Sequence, residues 1–278
     1  MMELPELETL RRELEKELVG KRFKAPEVAV TKAVAHNGTK KAFQARLEGA
    51  KVKSVDRRGS VLAANLDNGE VLVLRFGERG TLAKATAKDA PTKGVEVTFT
   101  FTQGSNVCLV DPDGASEAFV VAASDVVAEV PEAAAGGLDP VADAVSWTAF
   151  ARVVLSRAAK LKALLVDPEV VAGIGPRYSD EILWEAGLRY DRVSNELSSQ
   201  EIRRLYRGLV ETLHEAVKHR GTSTEAAPFV DLYGQEGAYA AELKVHGRDG
   251  EVCRRCRAAI AKARFANKPV WYCPSCQV

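Results

Sequence analysis

Four cysteines near the end of the chain carry the clearest chemistry. Cys253 and Cys256 are separated by two residues, as are Cys273 and Cys276, and sixteen residues lie between the pairs. A C-x2-C turn aims two thiolates at one point, and two such turns complete the tetrahedron that Zn2+ prefers. A module this small cannot fold on a hydrophobic core, so metal binding would supply its folding energy. A doubled redox pair or two disulfides share the spacing. The reading adopted is one structural Zn2+ on Cys253, Cys256, Cys273 and Cys276, with Cys108 left as a buried thiol in a predicted strand.

The residues around this cluster add a second property. From Lys244 to Val278 there are eight Lys/Arg against two acids, a charge of +6 within a chain of net charge +1. Phe265, Lys268, Trp271 and Tyr272 stand between the cysteine pairs. A hairpin there would present basic and aromatic side chains together, as a phosphate backbone or unstacked bases require. Packing of Trp271 or Tyr272 into the knuckle is the plainer alternative.

A third signal is the stretch VVAGIGPRYSDEILWEAG, residues 170–187. Gly173 and Gly175 let backbone N–H groups approach an anion, and Pro176 suits the first position of the helix that follows. Lys162 on the preceding helix and Arg177 would add charge. A turn between packed helices explains the glycines equally simply.

These features need elements to hold them. Leu7, Leu10, Leu14 and Leu18 share one face of a leading helix that Gly20 ends. Residues 28–127 read as strands and turns. Val61–Leu66 and Val71–Arg75 flank Asp67-Asn68-Gly69, a hairpin signal. Val95–Phe101 alternates, Val107–Val110 follows a turn, and Asp111-Pro112-Asp113-Gly114 makes another. Short strands with regular turns predict a sandwich or barrel. The Ala/Gly/Pro-rich stretch 129–142 reads as a linker. Helices are predicted over Trp147–Ala158, Lys162–Leu165, Tyr178–Ala186 and Gln200–Lys218, with Trp147 and Trp184 in the helical core. The division expected is 1–128, a linker over 129–142, 143–245, and a finger over 246–278.

Composition excludes several classes. The chain is 46% hydrophobic with mixed charge, which is globular. No apolar run reaches the ~18 residues that span a bilayer. Glu3, Glu6 and Glu8 crowd a start that lacks a signal-peptide core. A cytoplasmic, nucleoid-associated monomer with no membrane partner is the expectation.

Three stretches in order resemble the Fpg/Nei family of DNA glycosylase/AP lyases. ELPELETLRRELEKELVGK is similar to the family's opening helix. KALLVDPEVVAGIGPRYSDEILWEAGL resembles its helix–two-turn–helix signature, and ELKVHGRDGEVCRRC…WYCPSCQV its zinc finger. The resemblance implies an α+β chain: an N-terminal β-sandwich with a leading helix, a helix–two-turn–helix domain and a C-terminal zinc finger. It implies duplex DNA, damaged or distorted, as the partner, bound in a cleft. Lys162, Gly173, Gly175, Arg177 and Lys268 would be its phosphate-binding positions. The family's chemistry starts from an N-terminal proline whose amine attacks the sugar C1′, with glutamates moving protons.

The carry-over fails at chosen places. Glu3 and Glu6 are kept, but Met2 stands at the proline position. Ser60 replaces the family's lysine. Glu78 replaces the methionine that fills the gap left by a flipped base. Gly114 and Ala115 replace the Arg and Phe of the wedge, and Pro176 a phosphate-holding Asn. Lys268 stands for the hairpin Arg. The platform is kept and the excision residues are changed. This favours a DNA-binding member with altered or lost excision. The alternative is an active enzyme in which the α-amine of Met2, with Glu3 and Glu6 beside it, is the Schiff-base nucleophile. A chain beginning at Met1 would displace that amine by about 3.5 Å. An RNA-binding zinc-ribbon factor is a third class. Lesion choice is expected to rest partly on a mobile loop around Gly221–Asp231.

Overall fold

The computed structural model describes residues 2–85, 91, 93–134 and 136–278; Met1 lies outside the described residues. The chain divides into two compact units. The first comprises residues up to 134 together with 219–238, and the second comprises 135–218 with 239–278.

In the first unit, α1 (Leu4–Leu18) precedes two four-stranded antiparallel sheets, with α2 (Lys40–Leu47) between the first strand and the second. One has the order β1 (Glu27–Val28), β6 (Val95–Phe99), β7 (Asn106–Val110), β5 (Thr81–Ala85). The other has the order β2 (Val52–Arg58), β3 (Val61–Leu66), β4 (Glu70–Arg75), β8 (Glu117–Ala122). Both sheets give side chains to one core, among them Leu62, Leu72, Val97 and Leu109, and Leu7, Leu10, Leu14 and Leu18 of α1 join it. This is the sandwich that the short strands with regular turns predict, and the 61–75 hairpin closes at Gly69 with φ +82°.

The second sheet is buried on its other face too. Val61, Ala63, Val71, Val73, Phe119 and Val121 pack with Val126 and Val130. Strands covered on both sides lose strict alternation and become continuous apolar runs, which is why β3 reads VLAANL. The cover comes from α3 (Val126–Glu129) and α4 (Pro131–Ala134). The stretch 129–142 is therefore not all linker: residues 129–134 belong to the first unit. Arg75 of β4 clamps α4 through Glu132, at 2.7 and 3.0 Å. Gly59, at φ +58°, lies so close that a Cβ would stand 2.4 Å from the Glu132 carbonyl oxygen. Gly59→Ala is expected to cost about 2–3 kcal/mol by combining positive φ with backbone overlap. Gly69→Ala meets only open space and should cost about 1 kcal/mol. Urea midpoints of the two variants check this ordering.

The second unit is helical: α5 (Trp147–Leu155), α6 (Leu161–Leu165), α7 (Pro176–Ala186) and α8 (Ser199–Lys218), followed by the hairpin β9 (Ala261–Phe265)–β10 (Lys268–Tyr272). A capping box starts α8: Glu201 N–H donates to Ser198 Oγ, and Ser198 N–H to Glu201. Trp184 is buried as expected. Trp147 is not core; it is half-exposed beneath the Arg203 guanidinium. Segment 219–238, expected within 143–245, instead folds onto the first unit. Phe229 and Leu232 enter that unit's core. Among the described residues, no helix is long and apolar enough to cross a membrane.

Candidate metal centre and nucleic-acid interface

The Sγ atoms of Cys253, Cys256, Cys273 and Cys276 all lie within 4.8 Å of one another. Burial works against a thiolate at Cys253. The backbone N–H groups of Cys256 and Arg255 and the Trp184 indole N–H outweigh it and bring this thiol down to about 6. Burial and crowding by the other three thiols push Cys276 above the ordinary thiol range. Four thiols so close cannot all ionise without a cation, and a tetrahedral Zn2+ satisfies all four. The surrounding knuckle is small: Trp184, Val245, Cys253, Ile260 and Cys273 form its buried cluster. Gln277, 1% exposed, ties it to the helices by accepting from Cys273 N–H and donating to the Leu188 carbonyl.

The hairpin sorts its basic side chains by strand parity. Lys268 pairs in register with Phe265, while Lys262 lies opposite Trp271 and Arg264 opposite Pro269. Lys268 is exposed. Lys262, Ala263, Arg264, Asn267 and Pro269 line a shallow cavity of about 430 Å3 at the hairpin. The sequence points to Lys268 and the hairpin arginines but does not single out Lys262 beside Arg264. Their alternate spacing on a predicted strand is the signal that marks them.

The glycine loop has the geometry its composition suggests. Gly173 has φ +69°, Gly175 caps α7 in extended backbone, and Pro176 occupies the first turn. Arg177 lies in the same turn, buried, with its guanidinium over the Tyr178 ring at 5.9 Å. Lys162 differs from expectation. It is buried, with Nζ donating to Asp180 Oδ1 at 2.5 Å and to the Pro176 carbonyl at 2.7 Å. Its charge is spent inside the unit, because a buried ammonium needs an anionic partner. The lysine that looked like a phosphate ligand instead holds the first turn of α7 from behind.

In the first unit the start of α1 forms a reciprocal cap. Glu3 N–H donates to Glu6 Oε2 at 2.9 Å, and Glu6 Oε1 accepts Thr222 N–H at 2.7 Å. Gly221, at φ +79°, passes so near that a Cβ would lie 2.8 Å from the Glu6 side chain. The side chain of Met2 packs in the core of this unit. The expected mobile loop around Gly221–Asp231 is pinned here. Leu232 N–H donates to Glu13, and Lys84 N–H to the Leu232 carbonyl. Burial and the adjoining Asp231 carboxyl push Glu13 up to about 7.

Loops 76–80 and 111–116 are bound to each other. Gly77 N–H donates to Ser116 Oγ at 2.9 Å, and Ser116 Oγ to Asp111 at 2.7 Å. Arg79 pairs with Asp113 at 2.7 Å. Beside them Glu96 is 1% exposed, and its carboxylate oxygens meet no hydrogen-bond donor among the described residues. Burial first, then Asp111, pushes Glu96 up to about 7, with Lys32 opposing. The folded protein keeps this proton, whereas an unfolded glutamate releases it near 4.5. Stability therefore falls as pH rises from 4.5, and the loss is complete above about 7. Glu96→Gln is expected to match the wild type at pH 5 and exceed it by on the order of 2–3 kcal/mol at pH 8, read from urea midpoints. Glu13 adds a slope of the same sign, so the variant's profile should flatten without becoming level.

A β-sandwich with a leading helix, a helical unit with a glycine loop, and a four-cysteine hairpin define a zinc-bearing α+β protein. Three family models match it in order. They are the formamidopyrimidine-DNA glycosylase N-terminal domain over residues 1–116, the H2TH domain of that family over 137–227, and the zinc finger found in FPG and IleRS over 250–278. The chain is 35% identical over 277 residues to the formamidopyrimidine-DNA glycosylase of Geobacillus kaustophilus, covering 100% of both. It is 36% identical over 282 residues to that of Acidothermus cellulolyticus, covering 100% of this chain and 97% of the relative. The fold matches Lactococcus lactis Fpg, solved with DNA containing an abasic site, at TM-score 0.86 and 28% identity, covering 99% of each chain. It matches Thermus thermophilus MutM at TM-score 0.86 and 30% identity, covering 99% and 98%. The chain belongs to the formamidopyrimidine-DNA glycosylase family. The zinc-finger match and the donor set assign it one structural Zn2+.

Proposed function

We propose that this chain is a DNA-binding member of its family that holds damaged or distorted duplex and has altered or lost base excision. Contacts to phosphate would come from the Gly173–Gly175 loop, Arg177, and Lys268, Lys262 and Arg264 of the hairpin. The observation that carries the reading is the state of loops 76–80 and 111–116. By the family resemblance, these loops would carry the side chains that enter the duplex. Here they are Glu78, Gly114 and Ala115, and the adjacent cation, Arg79, is paired with Asp113. A carboxylate driven into a base stack would be desolvated and repelled by phosphate. Two glycine- and alanine-sized positions leave nothing to hold the gap open.

The test is fluorescence anisotropy at 50 and 200 mM salt with intact, nicked and abasic duplexes, alongside strand cleavage. Binding should weaken at least tenfold between the two salts, with no nicking of abasic DNA. Absence of affinity for every duplex at low salt sinks the reading.

A second reading rests on the intact corner at the start of α1, where Glu6 is still positioned by Glu3 and Thr222 N–H groups. If Met2 carries the free α-amine, a primary amine stands at the family's nucleophile position. Its neutral fraction at pH 7 is useful, since an α-amine titrates near about 7.7–8.0. Borohydride trapping on abasic DNA, with protein of verified N-terminal mass, separates the two. A covalent adduct supports the lyase.

A further inference from the structure

Asp180 is the residue on which the helical unit and the zinc hairpin converge. It lies within α7, and its side chain has no exposure. One oxygen, Oδ1, accepts from Lys162 Nζ at 2.5 Å. The same ammonium donates to the Pro176 carbonyl, at the mouth of the glycine loop. The other oxygen, Oδ2, pairs with His246 Nδ1 at 2.8 Å and receives Trp271 N–H at 3.4 Å. The imidazole rests edge-on against the Trp271 indole, with ring centroids 4.4 Å apart. Trp271 is held in turn by Asp249, at 2.8 Å from its indole N–H. Next along α7, buried Glu181 accepts the N–H groups of Lys244, Val245 and His246 at 2.7, 3.0 and 2.8 Å. The segment that leads into the first cysteine pair is thus threaded along α7 by two adjacent carboxylates.

We infer that Asp180 is a positioning residue that couples the seating of the zinc hairpin to the geometry of the Gly173–Gly175 loop. A structural ion pair needs only Lys162 and Asp180. Here the carboxylate's second oxygen is spent on the hairpin, and the ammonium's second bond is spent on the loop. Zinc fixes the hairpin, which presents Trp271, while Glu181 seats His246 on the segment that leads into the first cysteine pair. These fix the plane of the Asp180 carboxylate, which aims Lys162 Nζ at the Pro176 carbonyl. A buried carboxylate that loses its Oδ2 donors must turn to regain them, and Lys162 turns with it. The path is a chain of contiguous hydrogen bonds, each end of which has a defined geometry to lose. Only the DNA arm of the test below rests on the proposed phosphate contacts of that loop.

The test compares full-length His246→Leu and His246→Gln with the wild type, each verified to hold one zinc. Gln keeps a donor toward Asp180 and Leu does not. In His246→Leu, amide hydrogen exchange at residues 173–179 is expected to speed up about tenfold. It should stay near wild type in His246→Gln, with residues 205–213 of α8 unchanged in both. Unchanged exchange at 173–179 in His246→Leu overturns the coupling, and so does an equal acceleration of α8. Should His246→Leu lose metal or fold, the wild-type chain decides. Withdrawing zinc must speed exchange at 173–179 while 205–213 keep their protection, and retained protection at 173–179 overturns the inference. In the DNA arm, saturating abasic duplex is expected to tighten zinc binding by the wild type about tenfold at equilibrium, because coupling between two ligands is reciprocal in binding free energy. The effect should shrink in His246→Leu to what the hairpin's own phosphate contacts supply, and an equal effect in both proteins counts against the coupling. Wild type that binds no duplex defeats the proposed function, while the exchange data still decide the coupling.

Discussion

Withdrawal of zinc is expected to unfold the hairpin and its knuckle, abolish duplex binding, and leave the first unit folded. The effect is large because the module's apolar core is slight. Its buried cluster is five residues, and two of them, Cys253 and Cys273, are ligands. Structural zinc in small modules contributes roughly 10–16 kcal/mol at neutral pH, far beyond what three apolar side chains supply. Cys253→Ser should reproduce the effect of chelation. Trp184 reports it: its indole N–H lies 3.4 Å from Cys253 Sγ, and the Arg255 guanidinium lies over its ring at 4.1 Å. Both neighbours leave when the knuckle opens, so tryptophan emission should change in step with release of one zinc. The first unit has its own core and should keep a cooperative melting transition. Chelated protein that retains wild-type duplex affinity would refute the argument.

Lys162→Met is expected to destabilise the helical unit by about 3–5 kcal/mol in the absence of DNA. Methionine fills much of the lysine's volume, so the loss is electrostatic in origin. Asp180 would be left as a buried carboxylate, with His246 and the Trp271 N–H as its remaining partners. The Pro176 carbonyl would lose its ammonium donor. Adding Asp180→Asn to Lys162→Met should recover part of the loss, because the uncompensated charge is gone. Urea denaturation without nucleic acid is the measurement. A surface phosphate ligand would behave differently: its removal would leave stability within about 0.5 kcal/mol and lower only DNA affinity.

Where the sequence was readable, local chemistry and function coincide. The cysteine spacing, the glycine loop with Pro176, and the Asp67-Asn68-Gly69 turn each specify backbone geometry within a few residues, and each is present. What misled were residues whose partners are distant in sequence. Lys162 looks like a phosphate ligand until Asp180, eighteen positions away, is seen to hold it. Residues 129–134 read as linker because Pro, Ala and Gly dominate the stretch 129–142 that contains them. Yet Val130 is wholly buried against the outer face of a sheet whose strands gave no strict alternation. Segment 219–238 reads as a loop of the second unit because it follows α8. Its contacts to Glu6, Glu13 and Lys84 are long-range, and no local pattern announces them.

That segment has a consequence for dissecting the molecule. The polypeptide passes between its two units three times: near residue 134, near 218 and near 238. Neither half can be cut out as one continuous piece. A recombinant fragment starting at residue 135 would carry Phe229 and Leu232 as solvent-facing apolar side chains, inviting aggregation. A fragment ending at 134 would lack the Thr222 N–H that Glu6 accepts and two members of its own core. Separating the halves calls for rewiring: a short turn joining residues 218 and 239 in one piece, and residues 219–238 grafted onto the other.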